Sequence, residues 1–218
     1  MPNEHHLKTL RSARFYTLGE AVSAPADLWI ACHGYGQLAA QFLEALAPLD
    51  DGRRLIAAPE GLSRFYLEAG SHGRESAVGA SWMTREDRLS EIDDYVGWLD
   101  ALLAALAAPR RGARLTVLGF SQGTATATRW VLRSRVPARR LVLWGGLLPP
   151  DADLEAAAAV LNALDLVLVV GDRDEYVTAE RLAAQRVALD AARVRHRVLG
   201  FGGGHRLDAG TLLRLASD

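Results

Sequence analysis

The sequence predicts an α/β protein: a mostly parallel, twisted sheet of about seven strands flanked by helices. Three observations carry that expectation. Short apolar runs alternate with longer segments of helical period, the order expected of strand–helix–strand units. Several runs are apolar at nearly every position, as strands buried on both faces must be. The chain has 218 residues, 50% of them hydrophobic and 23% charged, which is enough to bury a substantial core. No repeat, low-complexity tract or Pro/Gly-rich linker divides it, so 1–218 reads as a single domain.

In chain order, the candidate strands are 13–18, 28–32, 54–58, 115–119, 141–144, 166–170 and 194–199. The stretch 7–17 alternates apolar and polar side chains, so it is expected as an antiparallel hairpin or edge strand. Helices are expected at 38–47, 85–108, 122–135, 154–164, 179–192 and 211–216. The clearest is 85–108, where Leu89, Ile92, Val96, Leu99, Leu103 and Leu106 recur at three- and four-residue steps as one apolar stripe. Thr84 with Asp87 is the expected cap at its start, and Pro109 follows its end. Residues 61–83 show no period and mix Gly70, Gly73 and Gly79 with Phe65, Tyr66, Trp82 and Met83. A loop of that length is either an ordinary surface excursion or a wall of a substrate pocket.

Composition excludes several classes. The formal net charge of −1 argues against a nucleic-acid partner, and the apolar half argues against disorder. Cys32 is the single cysteine, so no internal disulfide can form, and at the end of a buried strand it reads as a small core residue. No apolar run reaches the roughly 18–20 residues of a membrane span, and the first residues lack the pattern of a secretory signal, so a cytoplasmic protein without stable membrane insertion is expected.

The chemistry concentrates in Leu115-Thr-Val-Leu-Gly119-Phe-Ser121-Gln-Gly123-Thr. Gly119-x-Ser121-x-Gly123 stands directly after a strand pattern and before a helix pattern, the context a nucleophile elbow requires. A sharp strand-to-helix turn lifts the hydroxyl clear of the sheet, and side chains at the flanking glycines would collide with neighbouring backbone. The helix that follows turns its positive end toward the reacting centre.

A serine hydroxyl needs a base. His5 and His6 sit at the chain start and His196 lies within the 194–199 strand; His72 stays open as a candidate in the irregular loop. His205 follows the last strand in a glycine-rich loop and comes after the serine, so it is the expected base. A carboxylate must orient the imidazole. Asp172, Asp174 and Glu175 compete after the 166–170 strand; Asp174 is preferred, with Asp172 second because it can serve its own turn. The developing oxyanion needs backbone N–H donors. These are expected from Gln122, next to the nucleophile, and from Tyr35 in His33-Gly34-Tyr35-Gly36 after an early strand, with His33 organising that loop.

With His33-Gly-Tyr-Gly, Gly119-Phe-Ser-Gln-Gly, Gly171-Asp-Arg-Asp174 and Gly204-His205 in that order, the chain resembles the α/β-hydrolase superfamily, and within it the small carboxylesterase, lysophospholipase and acyl-protein thioesterase-like group. The resemblance runs along most of the chain. It implies Ser121, Asp174 and His205 as a triad, Tyr35 and Gln122 as oxyanion donors, an α/β-hydrolase fold without a large cap domain, and no metal or organic cofactor. Its glycine-then-acid spacing supports Asp174 over Asp172. Gln37 stands where many relatives have an aspartate, and the Trp82 and 61–66 regions also depart from the group's pattern, which bears on substrate rather than mechanism.

The expected activity is hydrolysis of small-molecule carboxylic esters through an acyl-enzyme, on short to medium acyl chains, by a monomer or homodimer. Tyr66, Trp82, Met83, Leu147 and Leu148 are the expected pocket walls, and Trp144 is equally a core candidate. Lysophospholipase and acyl-protein thioesterase activities are the alternatives. A dienelactone-hydrolase-like activity ranks lower because that group uses cysteine at the elbow. A non-catalytic binding protein on the same scaffold is the reading of another class.

Overall fold

A computed structural model describes residues 2–19, 27–68, 70, 73–107 and 112–218. Its centre is a seven-stranded sheet in the order β1-β3-β2-β6-β7-β8-β9. The strands are β1 Phe15–Leu18, β2 Asp27–Cys32, β3 Arg54–Pro59, β6 Arg114–Phe120, β7 Arg140–Trp144, β8 Asp165–Gly171 and β9 Arg197–Phe201. Only β1 runs antiparallel, as an edge strand beside β3; it covers only the end of the stretch 7–17 expected as a hairpin or edge strand, and residues 7–14 lie in no strand. A separate antiparallel pair, β4 Ser63–Tyr66 and β5 Val78–Ser81, lies within 61–83, where the sequence showed no period. Four-residue strands containing Gly79 are too short and too polar to leave an apolar signature.

Beyond their first residues the central strands are buried, and successive residues feed opposite sides. Leu28, Ile30 and Cys32 of β2 join one core; Trp29 and Ala31 join the other. The first core is covered by α2 Arg88–Ala107, α3 Gln122–Ser134, α4 Leu154–Asn162 and α5 Ala179–Ala191, through Leu99, Trp130, Leu161 and Leu189. The second is covered by α1 Ala39–Glu44 and α6 Ala209–Ser217, through Phe42 and Leu212.

Two elements start three residues later than expected. Helix α2 begins at Arg88 because residues 84–87 form a turn of their own: Thr84 Oγ1 accepts the Glu86 N–H at 3.2 Å, and Asp87 takes a left-handed φ of 45°. Its buried face is Ile92, Tyr95, Leu99, Leu102 and Leu106, rotated from the expected stripe, so Leu89 is 69% exposed. The expected stop at Pro109 falls outside the described residues. The last strand starts at Arg197, because Val194 N–H closes the end of α5 on Leu189 O at 2.8 Å and Asn162 takes the Arg195 N–H; His196 is therefore in the helix exit, not the strand.

Strand order decides where a site can form. β2 is flanked by β3 on one side and β6 on the other, so the chain departs in opposite directions from the adjacent carboxyl ends of β2 and β6, where Cys32 pairs with Gly119. Loops diverging at such a switch point leave a crevice.

Candidate active site

Ser121 stands in that crevice between β6 and α3, with φ 53° and ψ −117°. Its backbone N–H donates to Trp144 O at 2.9 Å, and its carbonyl accepts from Thr124 N at 3.0 Å and Thr124 Oγ1 at 2.8 Å, so the turn is held on both sides. A Cβ at Gly119 would overlap the Gly123 carbonyl, and one at Gly123 would overlap the Cys32 carbonyl. The two glycines are required by backbone crowding.

Asp174 and His205 come from the loops after β8 and β9. Asp174, with its side chain 1% exposed, holds His205 Nδ1 on Oδ2 at 2.9 Å. Its Oδ1 accepts the N–H groups of Tyr176 at 2.9 Å and Val177 at 3.0 Å. Burial pushes the carboxyl pKa up, but the Val177, His205 and Tyr176 donors together outweigh it and hold the group below its ordinary value. Asp172 instead accepts Gly203 N–H at 2.8 Å, with its side chain 65% exposed, so it shapes the loop that carries His205. Gly145, at φ 58°, follows Trp144; a Cβ there would lie 3.0 Å from His205 Cε1 and 3.4 Å from Asp174 Oδ2. Phe120, beside Ser121, has its ring 4.9 Å from the imidazole. These contacts bring the imidazole to the nucleophile turn. The Ser121 hydroxyl makes no hydrogen bond to His205 among the described residues, and such bonds commonly tighten only with substrate in place. His72 lies outside the described residues.

The loop after β2 passes against the serine: a Cβ on Gly34 would sit 3.2 Å from Ser121 Cβ. His33, fully buried, organises it. Gly61 N–H can only donate, so His33 Nε2, at 2.9 Å, is the bare nitrogen and Nδ1–H donates to Gly34 O at 2.7 Å. Burial holds this imidazole pKa down against the pull of Gly34 O and Glu60, so it is neutral and both nitrogens are engaged. Gly34 N–H donates to Gln37 Oε1 at 2.8 Å, and Gly36 N–H donates to Ala80 O of β5 at 2.9 Å. Gln122 fastens the other side, taking Trp82 N–H at 3.2 Å and giving its amide to Met83 O at 2.8 Å. The Tyr35 and Gln122 backbone N–H groups themselves donate to no protein acceptor among the described residues.

The expected pocket walls separate. Trp82 is 1% exposed, donates Nε1–H to His33 O at 2.9 Å and lies 5.0 Å from the His33 ring, so it supports the loop from within the core; the cavity it borders includes none of Ser121, Asp174 and His205. Leu148 is likewise buried in the core, as is Trp144. Leu147 and Met83 are half-buried, with their carbonyls taken by Thr124 and Gln122 and the Met83 sulfur 3.5 Å from Arg129. Tyr66 is exposed on β4. The sequence reading missed Phe65, Leu67 and Tyr176: the Tyr35 ring lies 5.2 Å from Phe65, and Leu67 packs against Gly36 and Gly79. The 61–83 segment thus abuts the loop carrying Tyr35. Cys32 is fully buried and its thiol pKa is pushed up by burial.

The model of the phospholipase/carboxylesterase family matches residues 20–213. The chain belongs to this family. It is therefore a carboxylic ester hydrolase, a serine hydrolase at family level, on the α/β-hydrolase fold. No curated protein sequence matches it. Similar solved structures include acyl-protein thioesterase 2 of Zea mays, 18% identical with a TM-score of 0.71, covering 94% of this chain and 97% of that one. Esterase PE8 is 21% identical with a TM-score of 0.67 over 95% and 97% of the two chains. The Bacillus cereus carboxylesterase is 15% identical with a TM-score of 0.66 over 94% and 92%. At these identities the likeness establishes the shared fold, and no cap domain is evident on the phospholipase/carboxylesterase framework described here. No described helix is long and apolar enough to cross a membrane. Among the described residues one group with metal-ligand spacing exists, the exposed Glu4, His6 and Asp87.

Proposed function

We propose that the chain is a carboxylesterase that cleaves small-molecule esters of short to medium acyl chains through an acyl-enzyme. The observation that carries this reading is the buried Asp174–His205 pair at 2.9 Å, set beside a serine at positive φ and two unengaged N–H groups. Asp174 occupies Nδ1 and so directs Nε2 to the reacting side. Nε2 takes the Ser121 proton as the hydroxyl attacks the ester carbonyl, and the oxyanion is received by the N–H groups of Tyr35 and Gln122. The imidazolium gives its proton to the departing alcohol. Water, deprotonated by the same nitrogen, then attacks the acyl-enzyme, and the imidazolium returns that proton to Ser121 Oγ as the acid is released. Every step is supplied by these side chains and backbone groups.

The same reading takes residues 1–218 as one domain, acting as a cytoplasmic monomer or homodimer. Hydrolysis of p-nitrophenyl esters from acetate to palmitate, wild type beside Ser121→Ala, tests it. The expected result is turnover that favours short to medium chains and falls by roughly 10⁴-fold or more in the variant. A preference for the longest chains would move the lysophospholipase and acyl-protein thioesterase readings forward, and undiminished turnover by Ser121→Ala would overturn the mechanism.

A further inference from the structure

Two aromatic rings of different standing pack on His205. Phe120, 6% exposed, lies 4.9 Å away between ring centroids. Tyr176 lies at 4.5 Å with its plane inclined 55° to the imidazole, yet it is 57% exposed. A single exposed aromatic side chain is ordinary in itself. This one is anchored at its backbone, because its own N–H donates to Asp174 Oδ1 at 2.9 Å in the same turn that orients the base. An aromatic ring thus packs on the base while the residue stays 57% exposed.

The chemistry says what such a ring would meet. Nδ1 of His205 is occupied by Asp174, so the proton for the leaving group travels from Nε2 to the alcohol oxygen. The alcohol's first substituent must then lie alongside the imidazole, within reach of the ring packed on it. The acyl oxygen is directed the other way, toward Tyr35 and Gln122. We propose that Tyr176 is the specificity-determining residue for the alcohol half of the substrate, and that the preferred substrates are esters of alcohols carrying an aromatic ring one carbon from the ester oxygen. This inference rests on the serine-esterase reading given above.

Benzyl acetate and cyclohexylmethyl acetate test it, since the two alcohols are close in size and differ chiefly in the π-face. The readout is the ratio of kcat/KM for the two esters within each protein, which is insensitive to the amount of active enzyme. The wild type is expected to favour the benzyl ester by roughly three- to tenfold, the scale of one aromatic pair. Tyr176→Phe keeps that ratio; Tyr176→Ala and Tyr176→Leu bring it to about one. Product inhibition by benzyl alcohol, stronger than by cyclohexylmethanol in the wild type and Tyr176→Phe but not in Tyr176→Ala or Tyr176→Leu, is the matching binding readout. A wild-type ratio near one overturns the inference. So does a ratio preserved in Tyr176→Ala while both rates fall together, which would make the ring a support for His205 only. Failure of folded wild type to turn over either ester would defeat the serine-esterase reading itself, a different outcome from turnover without preference.

Discussion

Ser121 carries a left-handed φ of 53° that costs a non-glycine residue on the order of 1–3 kcal/mol, and it is held there by hydrogen bonds to Trp144 O and from Thr124. The acid is argued at the same scale. Asp174 and Asp172 stand two residues apart, and both are accessible to the loop that carries His205; burial and partners separate them. Asp174 is enclosed, with three donors on two oxygens, one of them the imidazole. Asp172 is open to solvent and touches only backbone of that loop besides its neighbour Arg173. Asp174→Asn is therefore expected to lower kcat by roughly 10³–10⁴-fold, because an amide cannot stabilise the imidazolium. Asp172→Asn should cost about tenfold or less. Steady-state kinetics on one p-nitrophenyl ester decides the matter, and equal losses would contradict the assignment.

At the scale of elements, the unexpected part is the β4–β5 hairpin. Its β5 strand holds the loop after β2 through Ala80 O, and the residues that follow it are clamped by Gln122. Gln122 has two parts to play in the proposed mechanism: its backbone N–H is the proposed oxyanion donor, and its side chain ties 81–83 to the start of α3. Gln122→Ala keeps the N–H and loses the clamp, so kcat should fall by about tenfold with KM changed far less, as expected when transition-state positioning is loosened. A KM-only effect would show that the segment binds substrate without positioning the loop. The six parallel strands, the edge strand and the six described α-helices were legible in the sequence, because strands buried on both faces leave continuous apolar runs and amphipathic helices leave a period of 3.6. The strand-to-helix turn at Ser121 and the pairing of His205 with Asp174 were legible as placements, from flanking glycines, chain order and the glycine-then-acid spacing of the resemblance; their catalytic roles belong to the proposal. The hairpin and Tyr176 were not. Short polar strands have no period, and the ring packed on His205 depends on how two loops distant in sequence meet.

At the scale of the whole molecule, one charge cluster joins α2, α3 and the segment after β7. Asp151 accepts Arg129 Nη2 at 2.6 Å and Arg88 Nη2 at 2.8 Å, and Arg129 has its side chain only 9% exposed. Arg129 holds the Asp151 pKa down from 3.8 to about 2. A depressed folded-state pKa contributes stability that is present above the ordinary carboxylate value and lost as pH falls through the depressed one. The melting temperature of the wild type should therefore fall more steeply between pH 4 and pH 2 than that of Asp151→Asn, which forgoes ~1 kcal/mol at neutral pH once solvent screening of the half-exposed carboxylate is allowed for. Parallel slopes would contradict the pairing. The central claim concerns the folded molecule as a unit, because β2, β6, β7, β8 and β9 each deliver one part of the site. It is tested most directly by treating native protein with a fluorophosphonate and locating the adduct by peptide mass spectrometry. A single phosphonyl group on Ser121, absent from denatured protein and strongly reduced in Asp174→Asn, is the predicted result. Folded protein that remains unlabelled, or that carries the adduct on another serine, would contradict the account.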